Sequence, residues 1–288
     1  MLKTAEHIIS QIDKLPVFPS AAIQVVHLCS DKEISIQQLV KIISLDQSLT
    51  SQILRVANSS YFNYPREIHS LDRAVVILGT NLLRDISISF SIFTLYKQFR
   101  KIPKAIIAEL WRHALLTGFT MKVLADSYSP KQKDLLYIGG LLHDIGKIIY
   151  LQVFNEEYLL VLEKSREDDR RLEDLESRYF GVSHSQIGAQ LLNKWRLPSS
   201  IESMVQFHHA PALYRQPSQE AVWVRLLYLG NLLTHLVEHN ENQLVDLIHF
   251  DPLFQKYFNF TDTEILQLIN TIKSEYNEQR EYIKIFEK

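Results

Sequence analysis

Residues that turn a chain are scarce here. The 288 residues include 8 glycines and 9 prolines, together about 6% where ~12% is average. Every β-hairpin uses such residues at its turn, so long helices are expected in place of sheets. The start and stop signals agree. Ser35-Ile36-Gln37-Gln38 reads as a capping box ahead of Leu39, Ile42 and Ile43. Asp46 can cap a second helix carrying Leu49, Ile53, Leu54 and Val56, which ends at Asn58-Ser59-Ser60. Ser70 opens the next, Gly79 stops it, and Thr80 caps a longer run through Leu83, Ile86, Ile88 and Ile92. Pro103 suits the first turn of a helix reaching Asp126, and Ser129-Pro130 leads into Leu135, Ile138, Leu142 and beyond. Ser183-His184-Ser185-Gln186 and Thr261-Asp262-Thr263-Glu264 are further capping boxes, and Pro198 opens a helix running to His208 and His209. The run Ile86 to Ile92 alternates apolar residues with serines, a strand pattern, but its cap and helical surroundings favour a helix.

The remaining composition narrows the class. At ~150 residues per domain, the length suggests two domains or lobes. Lys+Arg number 31 against 33 Asp+Glu, a net charge of -2, which lacks the basic footprint of a protein that coats nucleic acid. No uninterrupted apolar run approaches the ~18 residues of a membrane span, and the first residues lack the apolar core of a signal peptide. Cys29 is the single cysteine, read as a small core residue, so a reducing cytoplasm is expected. The charged run Glu163 to Arg171 reads as a solvated helix face or loop. Gly139-Gly140 suits close helix packing. Arg55, Arg66 and Arg84 are expected to brace helix ends or acids such as Asp46, Asp72 or Asp85. Ile265, Leu268, Ile269, Ile272 and Tyr276 make one helical stripe, expected to pack on the second lobe.

The histidines carry the chemistry. His143-Asp144 lies within Gly139-Gly140-Leu141-Leu142-His143-Asp144-Ile145-Gly146-Lys147. Helix neighbours point about 100° apart, so both can reach one ion only if it lies in the cleft beside them. Leu141, Leu142, Ile145, Ile148 and Ile149 surround the pair with apolar surface. A bare carboxylate there costs several kcal/mol unless paired or metal-bound. Partners are available in His113, His184 and the doublet His208-His209. Five imidazoles and one carboxylate suit Fe, Mn, Zn or Ni. A single one of these histidines would read as a hydrogen-bonded core or surface residue; the set points to a metal-type site or its remnant.

In this order and on helices, His113, His143-Asp144, His184 and His208-His209 resemble the HD superfamily of metal-dependent phosphohydrolases. The resemblance is closest to its HDOD branch (HD-related output domain). It is carried by Leu15-Pro16-Val17-Phe18-Pro19, by Leu45-Asp46-Gln47-Ser48-Leu49-Thr50, and by Leu54-Arg55-Val56-Ala57-Asn58-Ser59. Ile68-His69-Ser70-Leu71, Ala74-Val75, Leu78-Gly79 and Leu83-Arg84 continue it. Tyr179-Phe180-Gly181-Val182-Ser183-His184, Ile187-Gly188-Ala189 and Trp195-Arg196-Leu197-Pro198 complete it, so the likeness runs from about Leu15 to Pro211. It implies an all-α, two-lobed fold and a bacterial signalling or regulatory role, often without hydrolase activity. The lobes are expected at 1–102 and 103–288.

The chain also departs from the active pattern. An active HD hydrolase carries a further Asp on a later helix, and here Asn231 stands at that place within Val224 to Leu232. A neutral amide is a weaker ligand and cannot take a proton from bound water, so metal affinity and metal-hydroxide attack should both fall. The cyclic-dinucleotide hydrolases follow their second doublet with an acid and Gly-Tyr-Pro; this chain has Ala210-Pro211-Ala212-Leu213. Lys147 either grips a phosphate, as in an active relative, or is a solvated charge near a helix end. The expected function is a non-enzymatic, cytoplasmic signalling module that contacts signalling proteins, with no membrane or nucleic-acid partner. A degenerate or structural divalent metal site sits within it, filled or empty. The rival is a metal-dependent phosphohydrolase acting on a nucleotide or cyclic dinucleotide, with Asp144 and Lys147 as its working residues. A nucleotide ligand bound without turnover, and a homo-oligomer, stay open.

Overall fold

A computed structural model of the chain describes residues 18, 20–30, 35–62, 64–99, 102–167, 171–238, 256–258 and 260–287. Every regular element among them is helical. The α-helices are α1 (Ser20–Ser30), α2 (Ile36–Leu45), α3 (Gln47–Ala57), α4 (Leu71–Lys97), α5 (Lys104–Tyr128), α6 (Lys133–Leu142), α7 (Ile145–Glu167), α8 (Leu172–Phe180), α9 (His184–Lys194), α10 (Ser199–Phe207), α11 (Gln219–Glu238) and α12 (Asp262–Glu287). Short 3-10 turns stand at Pro130–Gln132 and Pro211–Leu213.

Local chemistry sets the boundaries. Asp46 closes α2 through its backbone N–H on Ile43 and opens α3 by accepting from the Leu49 N–H at 2.9 Å. The Asn58 amide clamps the segment ahead of α4, donating to the Ile68 carbonyl and accepting from its N–H, both at 2.8 Å. Gly79, at φ +74°, breaks α4 into two helices where the sequence asked for a stop and a restart. Past it, Ser87 and Ser89 donate back to the carbonyls of Leu83 and Asp85 at 2.6 Å. That back-bonding lets a helix carry buried serines, so the alternating run is helical. The box at Ser183 forms in full, and Thr261 and Glu264 bond reciprocally. The box at Ser35 does not: its hydroxyl goes to the Gln37 side chain and leaves the helix end uncapped. Ser129 likewise makes no cap bond, and Pro130 opens a 3-10 turn before α6 begins.

Small residues bring the helices close. A Cβ on Gly140 would lie 2.7 Å from the Gly118 Cα, so α5 and α6 cross backbone to backbone there. Polar contacts inside the core join α4 to its neighbours: Asp85 takes a buried ion pair from Lys122 of α5, and Ser89 meets the Tyr137 hydroxyl of α6 at 2.6 Å. Arg84 pairs with Asp134 at 2.5 Å, not with the nearby acids expected for it, because the tertiary packing brings in α6 from fifty residues away. The stripe on α12 is buried at Ile265, Ile269 and Ile272. It packs on α5 and α11, and also on α3 and α4, so it spans both halves of the chain and does not rest on the second alone. By length and mean hydropathy α4 could cross a membrane, yet Gly79 interrupts it and it buries Asp85 in the protein core. The Cys29 side chain, most of Leu15 to Pro19, and residues 168–170 of the charged run lie outside the described residues.

Candidate metal centre

The apolar segment around His143-Asp144 does not continue as one helix. It stops at Leu142, turns through His143 and Asp144, and restarts at Ile145. The turn brings both side chains into one cleft, where a continuous helix would splay them. Gly146 makes this possible: a Cβ there would lie 1.9 Å from the His184 carbonyl oxygen. The start of α7 is thereby pressed against the start of α9.

Asp144 is the hub. Its Oδ2 lies 3.4 Å from His143 Nε2 and 3.7 Å from His113 Nε2. Its Oδ1 lies 3.2 Å from His184 Nε2 and 3.8 Å from His208 Nε2. His209 completes the group, its Nε2 3.1 Å from that of His184. All of the expected histidines and Asp144 therefore converge, from α5, the α6–α7 turn, the first residue of α9 and the end of α10. The structure also puts Asn231 of α11 there, its Oδ1 3.1 Å from His113 Nε2. Lys147 is not a solvated charge. Its Nζ sits 2.5 Å from Asp144 Oδ2, one turn along α7, and its side chain is largely covered.

The outer edge of each ring is held. His143 and His208 set Nδ1 against the carbonyls of Gly140 and Val205, at 2.8 and 2.6 Å. His184 and His209 set Nδ1 against the carboxylates of Glu176 and Glu173, both at 2.7 Å. An Nδ1–H spent this way turns Nε2 inward, where it offers a lone pair once unprotonated. Glu176 is itself fully buried and also accepts from the Tyr158 hydroxyl and the His184 backbone N–H. Glu173, Glu176, His235 and Glu238 were not foreseen from the sequence. The available signal was an acid one turn inside a helix ending just before Ser183-His184, and a His at i+4 from Asn231.

The electrostatics follow from burial and crowding. Burial, then repulsion by neighbouring rings, holds His208 and His209 well below the usual imidazole range. Burial also lowers His143, against the pull of Asp144. His184 goes the other way: burial opposes its charge, but Glu176 and Asp144 outweigh it and push the pKa up to about 9. Burial would raise Asp144, yet His143, Lys147 and His184 together hold it well below the usual carboxylate range. Burial would lower Lys147, and Asp144 keeps it raised.

Three buried atoms at the hub, His143 Nε2, Asp144 Oδ1 and His208 Nε2, accept or donate no hydrogen bond. Orphaned donors of this kind, all metal-ligating, fit a divalent ion. Asp144, His184, His208 and His209 offer four ligand atoms within 4.8 Å of one another, and His113, His143 and Asp144 offer three. The donor set suits Fe, Mn, Zn or Ni without choosing among them.

Comparisons with known proteins bear on the family and the fold. Residues 15–211 match the HDOD domain. A curated protein of Treponema pallidum (strain Nichols), itself uncharacterized, is 26% identical over 218 residues. That match covers 74% of this chain and 42% of the Treponema protein, so the chain spans less than half of that relative. An HDOD domain protein of unknown function from Geobacter sulfurreducens has a similar structure, with a TM-score of 0.74 at 21% identity, covering 97% of this chain and 98% of that one. A candidate phosphohydrolase from Shewanella amazonensis SB2B has a TM-score of 0.70 at 18% identity, covering 97% of each chain. A candidate signal transduction protein from Marinobacter aquaeolei VT8 has 0.67 at 24%, covering 93% of this chain and 60% of that one. Identities this low speak to the fold, which is the all-helical fold expected. Over most of its length, this chain belongs to the HDOD domain family.

Proposed function

We propose that this protein is a signalling or regulatory module built around a divalent metal centre, and that it acts through contacts with signalling proteins without turning over a substrate. One observation carries the reading. Four inner imidazoles, at His143, His184, His208 and His209, have Nδ1 tied outward and Nε2 turned toward Asp144, where buried ligand atoms stand without hydrogen bonds. Asp144, His184, His208 and His209 would hold the ion, with His143 beside them. A bound ion supplies a fixed positive centre that joins the α6–α7 turn, α9 and the end of α10 through one carboxylate. Ligand binding to the folded state alone stabilises it by mass action, so occupancy is felt wherever these helices reach the surface. The same proposal divides the chain near residue 102, with the ion in the second lobe.

Three features favour binding over hydrolysis. Asn231 offers no carboxylate at the edge nearest His113. Lys147 is committed to Asp144 Oδ2 and is not turned toward incoming phosphate. His143, His184 and His208 are fully buried and Asp144 nearly so, leaving little of the centre open to a substrate. The rival, a phosphohydrolase, is favoured by the survival of every histidine and Asp144 in one cluster.

The test is elemental analysis of protein prepared without chelator or affinity-metal resin, beside Asp144→Ala, with phosphodiesterase assays on a chromogenic diester and a cyclic dinucleotide. The expected result is stoichiometric Fe, Mn, Zn or Ni in the wild type, none at this centre in the variant, and no turnover. A folded but empty wild type overturns the metal-centred reading. Turnover that disappears with Asp144 establishes the rival.

A further inference from the structure

His113 differs from the other four histidines in facing α11, whose side-chain oxygens meet both of its nitrogens. Nε2 lies 3.1 Å from Asn231 Oδ1, and Nδ1 lies 2.8 Å from Glu238 Oε2. Asn231, His235 and Glu238 are spaced by four and three residues on α11, so they share one face of that helix. The face looks onto His113. The His235 ring lies 4.8 Å from the His113 ring, and His235 Nδ1 lies 3.9 Å from Glu238 Oε2. Ligand atoms of His113, His235 and Glu238 all lie within 4.8 Å of one another.

The neutral residue at 231 decides which way His113 points. With Nε2 set against the uncharged Asn231 amide, Nδ1 is the nitrogen that faces a carboxylate. There Nδ1 meets the Glu238 carboxylate at 2.8 Å, a hydrogen bond whose proton a cation can replace. Two ligands about 2.1 Å from one tetrahedral ion are about 3.4 Å apart, so the 2.8 Å contact need open by only about half an ångström to admit one. Two imidazoles and a carboxylate are a donor set that Zn²⁺ and similar borderline ions accept, with positions left for water. The site is reachable: the Glu238 side chain is 16% exposed and that of His235 46%.

We infer that His113 Nδ1, His235 and Glu238 form a second divalent-cation site at the mouth of the helical core, with Glu238 supplying the carboxylate that position 231 lacks. The site shares no ligand with Asp144, His184, His208 and His209, and it stands whether or not that set holds an ion.

Zn²⁺ titrated into metal-free full-length protein, read by calorimetry and by the visible spectrum of Co²⁺ in its place, tests the inference. Wild type should take up two ions. His235→Ala, at a half-exposed position that does not support the core, should take up one and weaken the second by at least about tenfold. Glu238→Gln should do the same. Asp144→Ala should keep an ion that is lost when His235→Ala is added. If His235→Ala and Glu238→Gln bind as wild type does, the outer site is refuted while the core reading survives. One ion in the wild type, lost with His235→Ala and kept with Asp144→Ala, supports the outer site and refutes the core reading. No uptake at all refutes both.

Discussion

In the metal-free centre a proton occupies the place of an ion. Glu176 and Asp144 outweigh burial to push His184 up to about 9, while His143, His208 and His209 are held below the usual imidazole value. Near neutrality one of these four rings is therefore charged, and its Nε2–H points at His209 Nε2, 3.1 Å away. An ion at Asp144, His184, His208 and His209 must displace that proton. At pH 7, two units below about 9, all but about 1% of His184 is protonated, so apparent affinity sits about a hundredfold under its plateau. The logarithm of the affinity should rise by about one per pH unit from 7 to 8.5 and level off above 9. About one proton should be released per ion at pH 7. Calorimetric titration of Zn²⁺ into metal-free protein, in two buffers of different ionisation enthalpy, measures the release directly. Titrating the His235→Ala variant as well isolates the core site. Glu176→Gln removes the charge that holds the proton and should cut both the slope and the release by more than half. The same shift has a stability consequence of fixed sign. A raised pKa stabilises the metal-free fold fully below the unfolded value of about 6.5, and that contribution is lost as pH rises through about 9. Thermal stability without metal should fall across that window, and less so in Glu176→Gln. Affinity independent of pH between 7 and 8.5, with no proton released, would show a neutral His184 and refute the reasoning.

Other substitutions probe what holds the centre in place. Gly146→Ala drives a methyl to within 1.9 Å of the His184 carbonyl and should cost about 3 kcal/mol, seen as a lower urea midpoint; a loss under about 0.5 kcal/mol would contradict the close approach of α7 to α9. Asp85→Asn leaves Lys122 buried without its counter-charge and should cost about 3–5 kcal/mol, whereas Asp85→Leu combined with Lys122→Met should come near neutral. Equal losses in the single and double variants would argue against a buried pair. Ile269→Ala removes a fully buried side chain of α12 and should cost about 2–5 kcal/mol; a surface-like effect would mean α12 is not docked.

Much of the fold is legible in the sequence because its rules are local. Asp46, Ser70 and Ser183 cap helices through their own neighbours, and Gly79 breaks α4 through its own φ. The misses have other causes. Ser35 has the right residues for a box, yet its hydroxyl finds Gln37 first. Arg84 meets Asp134, which is fifty residues distant and belongs to another helix. The α12 stripe says that a face is buried but not against what, and only the tertiary packing shows it spanning both halves of the chain.

The centre divides along the same line. Histidines and the His-Asp doublet stand out because the chain has 11 His and few other metal-ligating types on apolar helices. The carboxylates behind them do not, since Glu173, Glu176 and Glu238 are three among 33 acids. What marks them is position after folding. α8 runs into the turn before Ser183, so two of its acids reach the outer nitrogens of His184 and His209. α11 presents residue 238 two turns beyond 231, on the same face. A donor atom can be read from its residue type, but the direction of its lone pair is set by what the other side of the ring touches. In this protein those outer contacts differ from ring to ring: carbonyls for His143 and His208, carboxylates for His184 and His209, and side-chain oxygens of α11 for His113. These contacts act together with burial and with the other rings to set where charge resides before any ion arrives. His184 is charged because Glu176 and Asp144 together outweigh its burial, and His208 and His209 are neutral because burial and the neighbouring rings prevail. The outer partners of these rings are therefore the residues whose exchange should retune metal affinity without removing a single ligand.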